Sequence, residues 1–161
     1  MDAHLISLEP SRDFVLIRSI LTDPRIYGHV ACDSCPSPRD FHIQEDTPHL
    51  FVLLRVGGKT QGVWMFEKRG TEYEVHTALK REAYGGVAHE GALRMAEWLW
   101  NNTDCERLTT RVPVQNRLAL AFAKAAGMKE YGISEKSFLK NHIMHDQVLL
   151  ALDRPEVAVR R

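Results

Sequence analysis

The chain has 161 residues, 44% of them apolar and 26% charged, which suits one domain with one sizeable core. Lysine plus arginine equal aspartate plus glutamate, 21 each. That balance argues against a dedicated nucleic-acid or anionic-membrane binder, whose affinity needs a basic excess, and leaves room only for a local basic groove. The apolar runs are too short to span a bilayer, the N-terminus lacks an apolar signal segment, and three cysteines do not make a disulfide framework. Together these features predict a cytoplasmic protein.

His4 to Leu8 reads as a first strand. Ser11 to Leu21 is dense in apolar residues and compatible with a helix capped by Ser11, ended or restarted by Asp23-Pro24; residues 24 to 32 predict a second short helix. Cys32 to Pro48 holds three prolines and many polar residues and is read as a long loop. Leu50 to Val56 is a continuous apolar run, as in a buried strand. Gly57-Gly58 makes a hairpin turn into Gln61 to Lys68, and Arg69-Gly70-Thr71 turns into Glu72 to Leu79. This last run alternates, with Tyr73, Val75, Thr77 and Leu79 on one face and Glu74, His76 and Ala78 on the other.

The period then changes. Val87 to Asn102 repeats at helical spacing, Arg107 to Val112 is a strand, and Asn116 to Ala126 is a helix closed by Gly127. Met128 to Ser134 and Asp146 to Leu152 read as closing strands around a polar stretch, and Pro155 to Arg161 as a frayed tail. The order is that of a mixed α/β sheet, an antiparallel meander followed by a βαβ unit.

Gly85-Gly86 stands between the last meander strand and the helix. A strand-glycine-helix junction is a natural anion site, because glycine lets the main chain approach and the first helical N–H groups point outward. Arg81 adds positive charge nearby. A plain tight turn explains the same two residues. Neither G-x-x-x-x-G-K-[ST] nor G-x-G-x-x-G is present.

Three linked segments resemble the GNAT superfamily of acyl-CoA N-acyltransferases. "YEVHTALKREAYGGVAHEGAL" is similar to that family's fourth strand and pyrophosphate loop, Arg/Gln-x-x-Gly-x-Gly/Ala, with Arg81 and Gly86 matching and Tyr84 at the middle glycine. "VPVQNRLALAFAKAAGMKEYG" is similar to the Asn-x-x-Ala helix, with Asn116, Ala119 and Gly127 matching and Met128 in place of phenylalanine. The tail "GMKEYGISEKSFLKNHIMHDQVLLAL" resembles the branch acting on protein N-termini or similar amines. The likeness spans about residues 50 to 152 and extends to small GNAT-like proteins encoded by bacteriophages.

The resemblance implies a single domain over 1–161: an acceptor side at 1–49, an acyl-CoA-binding core at 50–152 and a tail at 153–161. It implies about seven strands and four helices, with central parallel strands splayed around acetyl-CoA. The main chain of Val75, Thr77, Ala78 and Leu79 would pair with the pantetheine arm, and the N–H groups of Tyr84, Gly85, Gly86, Val87 and Ala88, with Arg81, would take the pyrophosphate. Asn116 and Phe122 would border the arm, although Asn116 reads equally as a helix cap. An acetyl group would pass from acetyl-CoA to a primary amine of a protein or small molecule, with His76 first and Glu74 second as general base. A polar pair on a half-exposed strand reads as ordinary surface too. The resemblance calls for no metal; the charge balance and short apolar runs predict no nucleic-acid or membrane partner, and a monomer and a homodimer are both open.

Many members carry a tyrosine seven residues after the asparagine to protonate the thiolate; here that residue is Ala123, with Tyr131 or a water as substitute. This departure keeps a catalytically inactive, GNAT-shaped binding module open as the alternative. His29, Cys32 and Cys35 are spaced like half a zinc site or a redox pair, and read more simply as loop thiols. His142 and His145 border a substrate mouth or a solvated loop, and the three tryptophans read as packing.

Overall fold

The computed structural model describes residues 5–156. The elements run β1 (Ile6–Pro10), α1 (Phe14–Leu21), α2 (Pro24–Val30), β2 (Leu50–Val56), β3 (Lys59–Arg69), β4 (Glu72–Leu79), a 3₁₀ turn (Arg81–Ala83), α3 (Gly86–Asn102), β5 (Arg107–Pro113), α4 (Arg117–Ala125), β6 (Lys129–Lys140) and β7 (Ile143–Asp153). The strands form one seven-stranded sheet in the order β1-β2-β3-β4-β5-β7-β6. Every neighbouring pair is antiparallel except β4 with β5, the pair joined through α3. No described helix is long and apolar enough to cross a membrane.

Period-two alternation splits the core into two layers. Val52, Leu54, Trp64, Phe66, Tyr73 and Val75 face α3 and α4 and pack with Met95, Leu99 and Ala123. Phe51, Leu53, Val63 and Ala78 face the other way, onto Ile17 and Ile20 of α1 and Ile26 of α2. Each fully buried aliphatic or aromatic side chain contributes about 1.5–3 kcal/mol. Gly91 lets α3 sit close on the sheet: a Cβ there would stand 3.1 Å from Leu54 Cδ1 and 3.3 Å from Trp64 Cη2.

The capping chemistry differs from the expectation by two residues. Asp13 rather than Ser11 caps α1, its carboxylate accepting from Leu16 N–H at 3.2 Å, while Ser11 Oγ accepts from Asp13 N–H. Such a cap stabilises a helix by about 1 kcal/mol. The closing strands are also longer than predicted. β6 and β7 run through the polar stretch as a hairpin, with a register shift between Ser134 and Phe138 and a turn at Asn141-His142. Met128 precedes β6, and β1 begins at Ile6. His4 and residues 157–161 lie outside the described residues.

Residues 31–49 contain no helix or strand. Arginine forks hold this loop in place of a ladder. Arg18 donates to the carbonyls of Phe41, Pro38 and Arg39 at 2.7–3.1 Å, and Arg12 donates to those of Glu45 and Thr47.

Candidate active site

β4 is paired along its whole length with β3, but with β5 only at Glu72, Tyr73 and Glu74. Beyond that point the two parallel strands diverge. In a strand, the N–H and C=O of one residue point to the same edge, and neighbours point to opposite edges. Tyr73 C=O accepts from Thr109 Oγ1 at 3.4 Å and Val75 C=O from Thr110 Oγ1 at 3.2 Å, so odd-numbered residues of β4 face β5. Thr77 and Leu79 therefore present main-chain groups to the opening, with no β5 residue in register. Even-numbered residues face β3, as Lys80 N–H does in donating to Gln61 C=O. The expected main-chain contacts are narrowed accordingly: Val75 C=O already has Thr110, and Ala78 points its main chain away from the opening.

On β5, Val114 N–H donates to Asp146 C=O across the β7 edge, which leaves odd-numbered residues facing β4. Pro113 is among them. It has no N–H, so it strands no donor where the strands part.

The C-terminal end of β4 leads to the glycine pair. Gly85 has φ of 93°, in the left-handed region, and is the N-cap of α3 with no side-chain cap bond. The first main-chain bond of the helix is His89 N–H to Gly85 C=O. The N–H groups of Gly86, Val87 and Ala88 thus lead the 17-residue α3 without an intrahelical partner. They sit at the positive end of the helix dipole. A Cβ on Gly86 would meet nothing within 4 Å. Tyr84 and Arg81 are exposed beside this turn.

Asn116 is the cap of α4, its Oδ1 accepting from Ala119 N–H at 3.2 Å. Phe122 is half-buried against the α3–α4 core, and Ala123, at the tyrosine position, is buried there. Tyr131 is not brought to the opening. Arg107 lies over its ring at 5.1 Å, and Arg107 pairs with Glu72 at the closed end of β4–β5. As a candidate proton donor Tyr131 is corrected: edge-strand β6 carries it along the wrong end of the sheet.

His76 and Glu74 project from the even face of β4 and touch. His76 Nε2 is 3.2 Å from Glu74 Oε2 and 3.3 Å from Glu67 Oε1. Glu74 Oε1 also meets Arg69 at 3.4 Å and Arg111 at 3.6 Å. Burial pushes the His76 imidazole down, but the Glu74 and Glu67 carboxylates more than offset it, and its pKa ends raised. The hydrogen bond from His76 holds Glu74 below the usual carboxylate range against its own partial burial, with Arg69 and Arg111 assisting. With Nε2–H held by carboxylates, Nδ1 is the nitrogen left to exchange a proton. Glu67, Arg69 and Arg111 were not anticipated. The signal was there for Glu67, because two in-register hairpin strands place it opposite Glu74. Glu67, Glu74 and His76 could offer metal ligands within 4.8 Å of one another, but here those atoms are taken up by ion pairs with each other and the two arginines.

No protein-family model matches the sequence, and no curated protein sequence does. Solved structures do match. A spermidine N-acetyltransferase from Vibrio cholerae, in complex with CoA and spermine, superposes with a TM-score of 0.76 over 93% of this chain and 96% of that one, at 15% identity. A ribosomal-protein-S5-alanine acetyltransferase from Vibrio fischeri gives 0.72 over 94% and 93%, at 14% identity. A ribosomal L7/L12 α-N-protein acetyltransferase gives 0.61 over 65% and 69%, at 16% identity. At such identities the likeness is one of architecture, and the chain has the fold of the GNAT acetyltransferases.

Proposed function

We propose that the chain is an N-acetyltransferase that moves an acetyl group from acetyl-CoA to a primary amine. The observation that supports this most is the join of two features at one end of β4. An unpaired strand edge at Thr77 and Leu79 runs into a helix N-terminus whose leading N–H groups are bared by Gly85 and Gly86. The first suits an extended chain of amides, by strand addition, and the second suits a diphosphate. Acetyl-CoA has both and supplies the activated acetyl thioester.

In this reading Gly86, Val87 and Ala88 hold the pyrophosphate through main-chain N–H groups, with Arg81 beside them. Thr77 N–H faces the carbonyl oxygen on which charge develops. His76 accepts the amine proton at Nδ1, and Glu74 with Glu67 stabilises the imidazolium that results. A direct attack needs both substrates present together. The acceptor binds on the α1–α2 side, under the loop at 31–49. Neighbours of this fold act on spermidine and on ribosomal proteins, which fits an amine acceptor here without choosing among amines.

Ala123 favours a second reading, a binding module without turnover, because it cannot protonate the thiolate. Titration calorimetry with acetyl-CoA, followed by assay of free thiol with a panel of polyamines and N-terminal peptides, separates the two. Binding with amine-dependent thiol release supports the enzyme, binding alone supports the module, and no heat at millimolar acetyl-CoA would sink both.

A further inference from the structure

The loop thiols are arranged more closely than a pair of ordinary surface cysteines. Cys32 Sγ and Cys35 Sγ are 3.0 Å apart, inside the usual contact distance of two sulfur atoms. The turn between them is closed from both ends: Cys35 N–H donates to Cys32 C=O at 3.1 Å, and Cys32 N–H meets Cys35 Sγ at 3.2 Å. A disulfide requires roughly 1 Å of further approach between the sulfurs, to about 2.05 Å. Cys32 is half-buried and Cys35 exposed, so reagent reaches the pair from solvent.

The turn is anchored on both sides. Asp33 N–H donates to Leu139 C=O, and the Asp33 carboxylate accepts from the N–H groups of Asn141 and His142 at 2.9 and 2.7 Å. Lys140 Nζ donates to the carbonyls of Gly28 and Ala31 at the end of α2. Tyr27 Oη donates to Pro36 C=O. A metal site is not indicated. Among the described residues the metal-binding side chains that gather in threes are Glu67, Glu74 and His76, so the two thiols have no third ligand.

We propose that Cys32 and Cys35 form a reversible disulfide by exchange with a low-molecular-weight disulfide. The Cys32 thiolate attacks one sulfur of the reagent, making a mixed disulfide and expelling one thiolate. Cys35, as thiolate, then attacks Cys32 Sγ, closing the ring and expelling the second. The two protons lost by the cysteines end on the two released thiols; the protein is oxidised by two electrons and the reagent reduced by two. The roles are unequal. Hydrogen bonds from the Cys35 thiol and the Ser34 hydroxyl pull the Cys32 thiol down, while partial desolvation in the turn and the Cys32 thiol push Cys35 up. Cys105 is the internal control, buried and pushed up to about 11.

The test is equilibration of the full chain with mixtures of oxidised and reduced glutathione, acid quenching, alkylation and peptide mass spectrometry. The expected result is loss of two hydrogen atoms from the Cys32–Cys35 peptide, no retained glutathione, Cys105 still a thiol, and full return of both thiols in excess reduced glutathione. Cys35→Ser should stop at the mixed disulfide and hold at least tenfold more glutathione on Cys32 than the unaltered chain does. An unaltered chain that stays dithiol in every mixture or keeps glutathione on either cysteine would overturn the proposal. So would a Cys35→Ser chain that captures none.

Discussion

The chain uses a Gly-Gly pair twice, and the two pairs do different work. Gly57-Gly58 joins β2 to β3, and both residues have positive φ, 59° and 80°. That is the demand of a tight hairpin turn, and Arg55 closes it by donating to Gly58 C=O at 2.5 Å. Gly85-Gly86 joins β4 to α3, and only Gly85 has positive φ. Gly86 is the first residue of the helix, where any good helix former fits the backbone, and nothing lies within 4 Å of where its Cβ would be. The fold therefore explains three of these glycines and not the fourth. A ligand lying against the main chain explains the fourth.

Gly86→Val breaks the comparison most sharply. The free protein has room for the side chain, so stability should move by no more than about 0.5 kcal/mol. The valine would stand between the leading N–H groups and a phosphate. Losing charge-assisted hydrogen bonds there costs about 1.5–3 kcal/mol, or roughly 10- to 100-fold in affinity for acetyl-CoA. Calorimetry and urea unfolding on the same sample check both halves. Unchanged affinity would reduce Gly86 to an ordinary turn residue.

Gly85→Ala comes next and should do both things at once. Its φ of 93° strains any L side chain, at about 1–2 kcal/mol of stability, and the turn that presents the N–H groups shifts with it. Gly58→Ala is the counterpart at the β2–β3 hairpin. It should cost about 1 kcal/mol of unfolding free energy and leave acetyl-CoA affinity untouched: its turn lies at the same end of the sheet as the α3 N-terminus, one strand away, but its main chain closes the β2–β3 hairpin and leads no helix. An affinity loss in Gly58→Ala would mean that general loosening, not the local grip, controls binding.

How far these differences could be read from sequence depends on whether one strand suffices. Leu50–Val56 announces itself as a continuous apolar run, Glu72–Leu79 and α3 by period, and the antiparallel meander follows from short glycine turns. Glu74 and His76 share a face by alternation alone. Glu67 follows from the register of the short β3–β4 hairpin, whereas Arg69 and Arg111 join by side-chain reach and by the approach of β5, which a linear pattern does not contain. The full length of the β6–β7 hairpin is not legible in sequence because both its faces are largely solvated near the tip, so apolar alternation fails just where the strands continue. Nothing in the sequence beyond its phenol marks Tyr131 as a substitute for the tyrosine absent at Ala123. The edge position of β6 instead sets it over Arg107.

The smallest effect sharpens the contrast between a main-chain grip and a side-chain site. Amide N–H groups do not titrate, so affinity for the diphosphate should stay level where His76 changes charge. Stability should not. His76 has a raised folded pKa, so its contribution is full below the unfolded histidine value of about 6.5 and fades as pH rises through the raised one. Glu74 has a lowered folded pKa, so its contribution is full above the unfolded value of about 4.3 and fades as pH falls through the lowered one. Between those two unfolded values the pair contributes fully. His76 is half-exposed and solvent screens the pair, so the alkaline loss should be at most about 1 kcal/mol. Urea unfolding from mildly acidic to alkaline pH, run beside His76→Gln, isolates it: the variant should lack the alkaline decline that the unaltered chain shows. If both decline equally, the Glu74–His76–Glu67 contact does not persist in solution, and His76 loses the partners that orient it as a base.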